Sequence, residues 1–153
     1  MGRTDRASLL VHAGRERVFA ALTGAAALEQ WLPPRGMHGR FEHFEMREGG
    51  SYRLVLTYDD AAGAPGKTSA SSDVSEVRIT ALVPGERLEQ EVDFVSDDPA
   101  YQGTMAMVWS VRDGGEGTTV EFEARNVPVG VRASDHAAGL TSSLAQLAAF
   151  LEP

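Results

Sequence analysis

Three side chains in this sequence could exchange a proton with a bound molecule: His136, Tyr52 and Tyr58. Histidine ionises near neutral pH and a tyrosine hydroxyl can donate or accept. The chemistry they could support is therefore a cyclisation, dehydration or hydrolysis that needs no cofactor. His136 has a plainer use as a hydrogen-bonded histidine near a helix start, and the sequence leaves both uses open. His43 lies opposite in parity to Phe44 and Met46 and is expected at the surface, while His12 and His38 stand in no supporting pattern. No His-x-x-x-His or other metal-ligand spacing occurs and there is no cysteine, so no metal and no other cofactor is expected. Gly-x-Ser-x-Gly, a dinucleotide glycine fingerprint and a P-loop are also absent, and Arg47-Glu48-Gly49-Gly50 lacks the following helix that a phosphate cradle requires.

A second set of residues suits binding better than catalysis. Tyr52, Leu56, Tyr58, Phe94, Met105, Met107, Trp109 and Phe122 fall on the apolar parity of their strands. Taken singly, each reads as core. Together they resemble a pocket lining, in which aromatic and thioether side chains enclose a ligand and a few polar groups orient it. Gln90 shares the apolar parity of its strand, so its amide needs a partner: a ligand, a water or another side chain. Trp31, before Pro33-Pro34, sits at the entrance or packs the lid. His136, Leu140 and Leu144 on the last helix complete the expected lining.

The elements that must position these residues follow from hydrophobic period. Ala7 to His12 forms a short strand, and Ala13-Gly14 breaks it. A helix starts near Arg15 with Val18, Phe19 and Leu22 on one side, and Ala25 to Trp31 forms a second helix ended by the prolines. Period two then takes over, with strands expected at Arg40–Arg47, Ser51–Tyr58, Val74–Leu82, Arg87–Val95, Gly103–Arg112 and Thr118–Val127. Asp59 to Ser72 and Ser96 to Gln102 read as loops. Val131 to Leu151 is expected to be helical, with Ala133, Ala137, Leu140, Leu144, Leu147 and Leu151 in one stripe and Ser134 or Asp135 as its cap. Six consecutive strands on short connections make an antiparallel meander that twists and curls. One helix of about 20 residues, roughly 30 Å long, can cross its concave side without filling it. The expectation is an α+β fold over residues 1–153, one domain, with a cavity between sheet and last helix.

The totals exclude other classes. With 22 acidic against 14 basic residues the formal charge is −8, and no basic run appears, so nucleic acid is not expected as a partner. Glu86, Glu89, Glu91, Asp93, Asp97 and Asp98 read as a solvated face or as a docking surface for a basic partner. No apolar signal core and no stretch near the ~20 residues needed to cross a bilayer is present, so a cytoplasmic protein with no membrane association is expected.

Several segments, in order, resemble a known family. They are Val18-Phe19-Ala20-Ala21-Leu22-Thr23 leading to Trp31-Leu32-Pro33-Pro34, Met46-Arg47-Glu48-Gly49-Gly50-Ser51-Tyr52-Arg53, and Val83-Pro84-Gly85-Glu86-Arg87-Leu88. Gly117-Thr118-Thr119-Val120-Glu121-Phe122 and His136-Ala137-Ala138-Gly139-Leu140 follow. The chain resembles the bacterial relatives of the activator of heat-shock-protein-90 ATPase, within the START, birch-pollen-allergen and polyketide-cyclase superfamily. Relatives commonly carry Gly-Trp where this chain has Gly139-Leu140, which puts a pocket role for that tryptophan in doubt. The resemblance implies a helix-grip fold, with a seven-stranded curved sheet around the C-terminal helix and two short helices after the first strand. It also implies a ligand-binding scaffold more than an activity. Three functions stay open: a non-catalytic binder of a small apolar or amphipathic molecule, a cofactor-free enzyme using a pocket histidine or tyrosine, and a protein-interaction module using the acidic face. A homodimer is compatible with the superfamily.

Overall fold

The computed structural model describes residues 2–59, 72–94 and 97–152. Strand β1 (Arg3–Val11) is followed by helices α1 (Arg15–Thr23) and α2 (Ala25–Trp31). Six strands come next: β2 (Met37–Phe44), β3 (Ser51–Tyr58), β4 (Ser72–Val83), β5 (Arg87–Phe94), β6 (Gly103–Asp113) and β7 (Thr118–Val127). Helix α3 (Ala133–Leu151) closes the series. The loop expected at Asp59 to Ser72 falls mostly outside the described residues. Between β5 and β6 a single 3-10 turn, Pro99–Tyr101, is capped by the Asp98 carboxylate, which accepts from the Ala100 N–H.

All seven strands form one antiparallel sheet in the order β1-β7-β6-β5-β4-β3-β2. The meander from β2 to β7 follows from short connections. The place of β1, beside the last strand, is a long-range choice. It puts β1 and β2 on opposite edges, so the α1–α2 unit between them must span the sheet. These two helices therefore roof the concave face, with α1 over β6 and α2 against β2.

Bulges curl the sheet and change its parity. In β2 the ladder slips between Phe41 and His43, leaving Glu42 as the extra residue. Phe41 and Phe44, of opposite parity, consequently both turn inward and meet edge to face at 4.7 Å. A second slip in β4, at Thr80, brings Leu82 opposite Leu88 on the core side. β2 also begins and ends three residues earlier than the expected Arg40–Arg47. The Met37 N–H closes a turn onto the Pro34 carbonyl, so pairing starts at once after the prolines. Beyond Phe44, residues 45–50 dock onto β4: Gly49 N–H bonds the Ile79 carbonyl and Ile79 N–H bonds the Gly50 carbonyl, each at 2.9 Å. Glycine is required at both positions. Gly49 has φ +82°, and a Cβ on Gly50 would stand 2.2 Å from the Glu45 carbonyl oxygen.

Helix α3 differs from expectation at its start. Its cap position is Arg132, with no side-chain cap bond, and Ser134 and Asp135 lie inside the first turn. A turn closed by Val131 N–H on the Pro128 carbonyl fixes that boundary. Leu140, Leu144, Leu147 and Leu151 are buried as the stripe requires, whereas Ala133 and Ala137 are exposed. The helix does not cross the whole concave face. It packs chiefly on β1, with α1 and α2 along its other side.

Candidate functional site

That placement divides the concave face. Under α3 the leucine stripe is buried against β1 and α1. Between the sheet and the α1–α2 roof there is a cavity of about 860 Å³. Its roof is Leu22, Leu28, Trp31 and Leu32, and its floor comes from β3, β4, β5, β6 and β7. The floor is built by alternation: in β5, Leu88, Gln90, Val92 and Phe94 face in while Glu89, Glu91 and Asp93 face out.

Seven of the residues expected in a pocket meet here: Trp31, Tyr52, Gln90, Phe94, Met107, Trp109 and Phe122. Trp109 and Phe122 stack at 3.7 Å with planes 12° apart, and Trp31 stands edge-on to Trp109 at 5.7 Å. Trp31 is 3% exposed, and its indole N–H donates to the Ala21 carbonyl at 2.9 Å. It packs the lid as well as facing the cavity. From outside, Gln146 of α3 donates to the carbonyls of Trp31 (2.6 Å) and Pro33 (3.1 Å), fastening the roof.

Six other expected residues stand elsewhere. Leu56 points inward but is covered where the post-α2 segment crosses: a Cβ at Gly39 would touch both Pro33 and Leu56. Tyr58 ends β3 opposite Met37, beyond the roof. Met105 has the parity of Met107 but lies nearer the start of β6, in a small cluster with Ala124 and Val127. Leu140 and Leu144 are buried but do not line the cavity, because α3 lies chiefly over β1. His136 faces the sheet edge: its Nδ1 meets Asp5 at 2.8 Å, and Asp5 also takes two bonds from Arg3. Those bonds, that from Arg3 above all, hold the Asp5 carboxyl below its ordinary range despite burial. Arg3 in turn donates to the Val131 carbonyl at 2.6 Å, so the cluster clasps the start of α3 to β1.

Besides the half-buried Ser75, opposite Leu54, the buried polar element within the cavity is a pair. Gln90 Nε2 donates to the Tyr52 hydroxyl at 3.2 Å, with both side chains buried. The contact spans β4: Tyr52 lies opposite Val77, and Gln90 opposite Ile79. Burial pushes the Tyr52 hydroxyl up to about 12, with the Gln90 bond acting in the other direction, so it stays protonated at neutral pH.

Charged residues border the cavity where the β4–β5 ladder ends at Val77 opposite Val92: Arg53, Glu76, Arg78 and Asp93. They are mutually paired. Arg78 reaches Asp93 at 2.7 Å and Glu91 at 3.2 Å, and Arg53 reaches Glu42 at 2.8 Å. The Arg78 bond, with one from Thr104, brings the Asp93 carboxyl down to about 2. Arg87 likewise holds Glu89 at 2.6 Å. The strand acids read as a solvated or docking face are thus each paired with an arginine, Arg78 serving both Glu91 and Asp93, which offsets part of their charge.

Sequence reasoning missed the roof leucines as lining. Leu28 and Trp31, three apart on α2, were the available signal. No group of three or more His, Cys, Asp or Glu side chains that could hold a metal occurs among the described residues, and no helix among them is long and apolar enough to cross a membrane.

A curved antiparallel sheet carrying a C-terminal helix, with two short helices after its first strand, defines a helix-grip protein of the START, birch-pollen-allergen and polyketide-cyclase superfamily. Within it, the chain belongs to the family described as Activator of Hsp90 ATPase homolog 1-like protein, whose model matches residues 12–152. Among solved structures it is similar to protein CV1439 from Chromobacterium violaceum, with 28% identity, a TM-score of 0.81, and 98% of this chain and 97% of that one covered. The AHSA1-like protein from Aeromonas hydrophila shares the fold at 12% identity and TM-score 0.78, over 98% and 92% of the two chains. DynU16, from the dynemicin biosynthetic locus, does so at 21% identity and TM-score 0.70, over 97% of this chain and 47% of that one. No curated protein matches the chain.

Proposed function

We propose that the protein binds one small, largely apolar molecule in the cavity beneath α1 and α2, without transforming it. The observation carrying this reading is the wall itself: stacked and edge-on aromatic rings around about 860 Å³, interrupted on the floor by the neutral Tyr52–Gln90 pair and by Ser75. Pockets that hold small molecules have this composition. Both tryptophans line the cavity, so the neutral dye Nile red should quench or shift their emission saturably at one per chain. Val92→Phe, which fills the floor, should weaken that binding at least tenfold. A non-saturating response, or a filled variant that binds as well, sinks the reading. Native mass spectrometry of freshly purified protein would show a co-purified ligand directly.

A catalytic reading rests on the protonated Tyr52 hydroxyl, which could donate to a bound carbonyl, and on the fold shared with DynU16. His136 does not support it, because it is turned to Asp5 and away from the cavity. Tyr52→Phe separates the readings: catalysis requires turnover to fall by about 100-fold or more with binding retained.

A further inference from the structure

Gln90 is 3% exposed, and its amide spends one hydrogen bond on Tyr52. Its Oε1 atom accepts none among the described residues, yet no wholly buried side-chain oxygen or nitrogen among them lacks a partner. Oε1 therefore keeps contact with open space, and the open space beside Gln90 is the cavity. The Tyr52 hydroxyl accepts from Gln90 and so still has its own proton to place, and Tyr52 lines the same cavity. Reversing the amide changes the assignment but not the result: tyrosine then donates to the amide oxygen, and the NH₂ group and a phenolic lone pair remain. In either orientation the buried pair offers at least one donor and one acceptor on a floor whose other inward polar group is the half-buried Ser75 hydroxyl, opposite Leu54.

We propose that Tyr52 and Gln90 form a specificity site for a single uncharged carbonyl or hydroxyl on an otherwise apolar molecule. This rests on the cavity-binding reading above and narrows it. A buried polar pair with unused capacity rewards a ligand that completes it and penalises one that covers it with hydrocarbon. It also discriminates by charge. A carboxylate brought to this floor would shed its water with no cation to replace it, since Arg53 and Arg78 stand at the border and are committed to Glu42, Glu91 and Asp93. Flat ligands fit the aromatic part of the wall, where the Trp109–Phe122 stack and the Trp31 edge present planar surfaces.

The test compares naphthalene, 2-naphthol and 2-naphthoate by calorimetric titration of the full chain. 2-Naphthol should bind about tenfold tighter than naphthalene, the size of one buried hydrogen bond, and 2-naphthoate weakest of the three. Tyr52→Phe and Gln90→Leu should each reduce the naphthol preference to about threefold or less while leaving naphthalene affinity within threefold of wild type. Equal binding of naphthol and naphthalene by wild type overturns this assignment and leaves cavity binding standing. Tightest binding of the naphthoate also overturns it, by placing the polar end at the arginines. If none of the three binds, both readings fall. The wild-type comparison stands even if a floor variant does not fold.

Discussion

Leu144 and Leu88 are equally buried, each 1% exposed, and they belong to opposite kinds of interior. Leu144 lies in the region where α3 packs on β1 and α1. Leu88 lies on the floor of a cavity. The difference comes from which element covers the concave face. The long helix brings a continuous leucine stripe and fills its share. The α1–α2 unit is two short helices crossing from one edge strand to the other, and it spans its share without filling it. Burial from solvent is therefore a poor guide to packing here, and the two regions should answer differently to the same substitution.

The largest effect tests that contrast directly. Leu147, on α3 and wholly buried, should lose about 3–4 kcal/mol of stability on substitution by alanine, because its neighbours close on it from every side. Leu28→Ala, in the roof, should lose only about 1–2 kcal/mol, because one flank of that side chain already lacks partner atoms. Denaturant unfolding of both variants decides it. Equal losses would mean that the roof packs as tightly as the α3 half.

Gln146 joins the two regions, since it stands on α3 and donates to Trp31 and Pro33 in the roof. Gln146→Leu should cost about 1–1.5 kcal/mol by leaving two carbonyls without that donor. Its local signature is sharper. Amide exchange in α2 should accelerate while the buried turns of α3 keep their protection. Uniform acceleration would show that the halves open together.

How much of this division was legible beforehand depends on the range of the interaction. Alternation in Arg87–Phe94 placed Gln90 and Phe94 inward correctly, because the period of a strand is local. The leucine stripe of α3 was legible for the same reason. The cavity's roof and its separation from α3 were not, since they depend on β1 choosing β7 as its neighbour and on the helix settling over β1. Strict alternation cannot place Phe41 and Leu82, because single-residue bulges at Glu42 and Thr80 invert the faces there. The need of Gln90 for a partner could be read from its position. That the partner is Tyr52, across an intervening strand, follows only from register.

The clasp at the start of α3 sharpens the comparison through pH. Asp5 is held below its ordinary value mainly by Arg3, so its contribution is fully present above the unfolded carboxyl value of about 4 and is lost as pH falls through the folded one. Asp5→Asn should therefore cost about 1 kcal/mol at pH 6, and the gap to wild type should close progressively below pH 4. Denaturant midpoints across that range check it. A gap that does not narrow at all as pH falls below 4 would assign the cost to packing rather than charge.

The smallest effect belongs to the convex side. Arg78 bonds Asp93 and Glu91 with geometry as good as that of Arg3 with Asp5, yet its side chain is 42% exposed where Asp5 is 10% exposed. Water screens the first cluster and competes for its hydrogen bonds, and the long side chain loses rotamer freedom to make them. Arg78→Ala should consequently change stability by less than about 0.5 kcal/mol, with that change vanishing in 0.5 M salt. A loss above 1 kcal/mol that survives salt would show that the bordering charges hold the ends of β4 and β5 in place. The cavity would then depend on its polar border as much as on its aromatic floor.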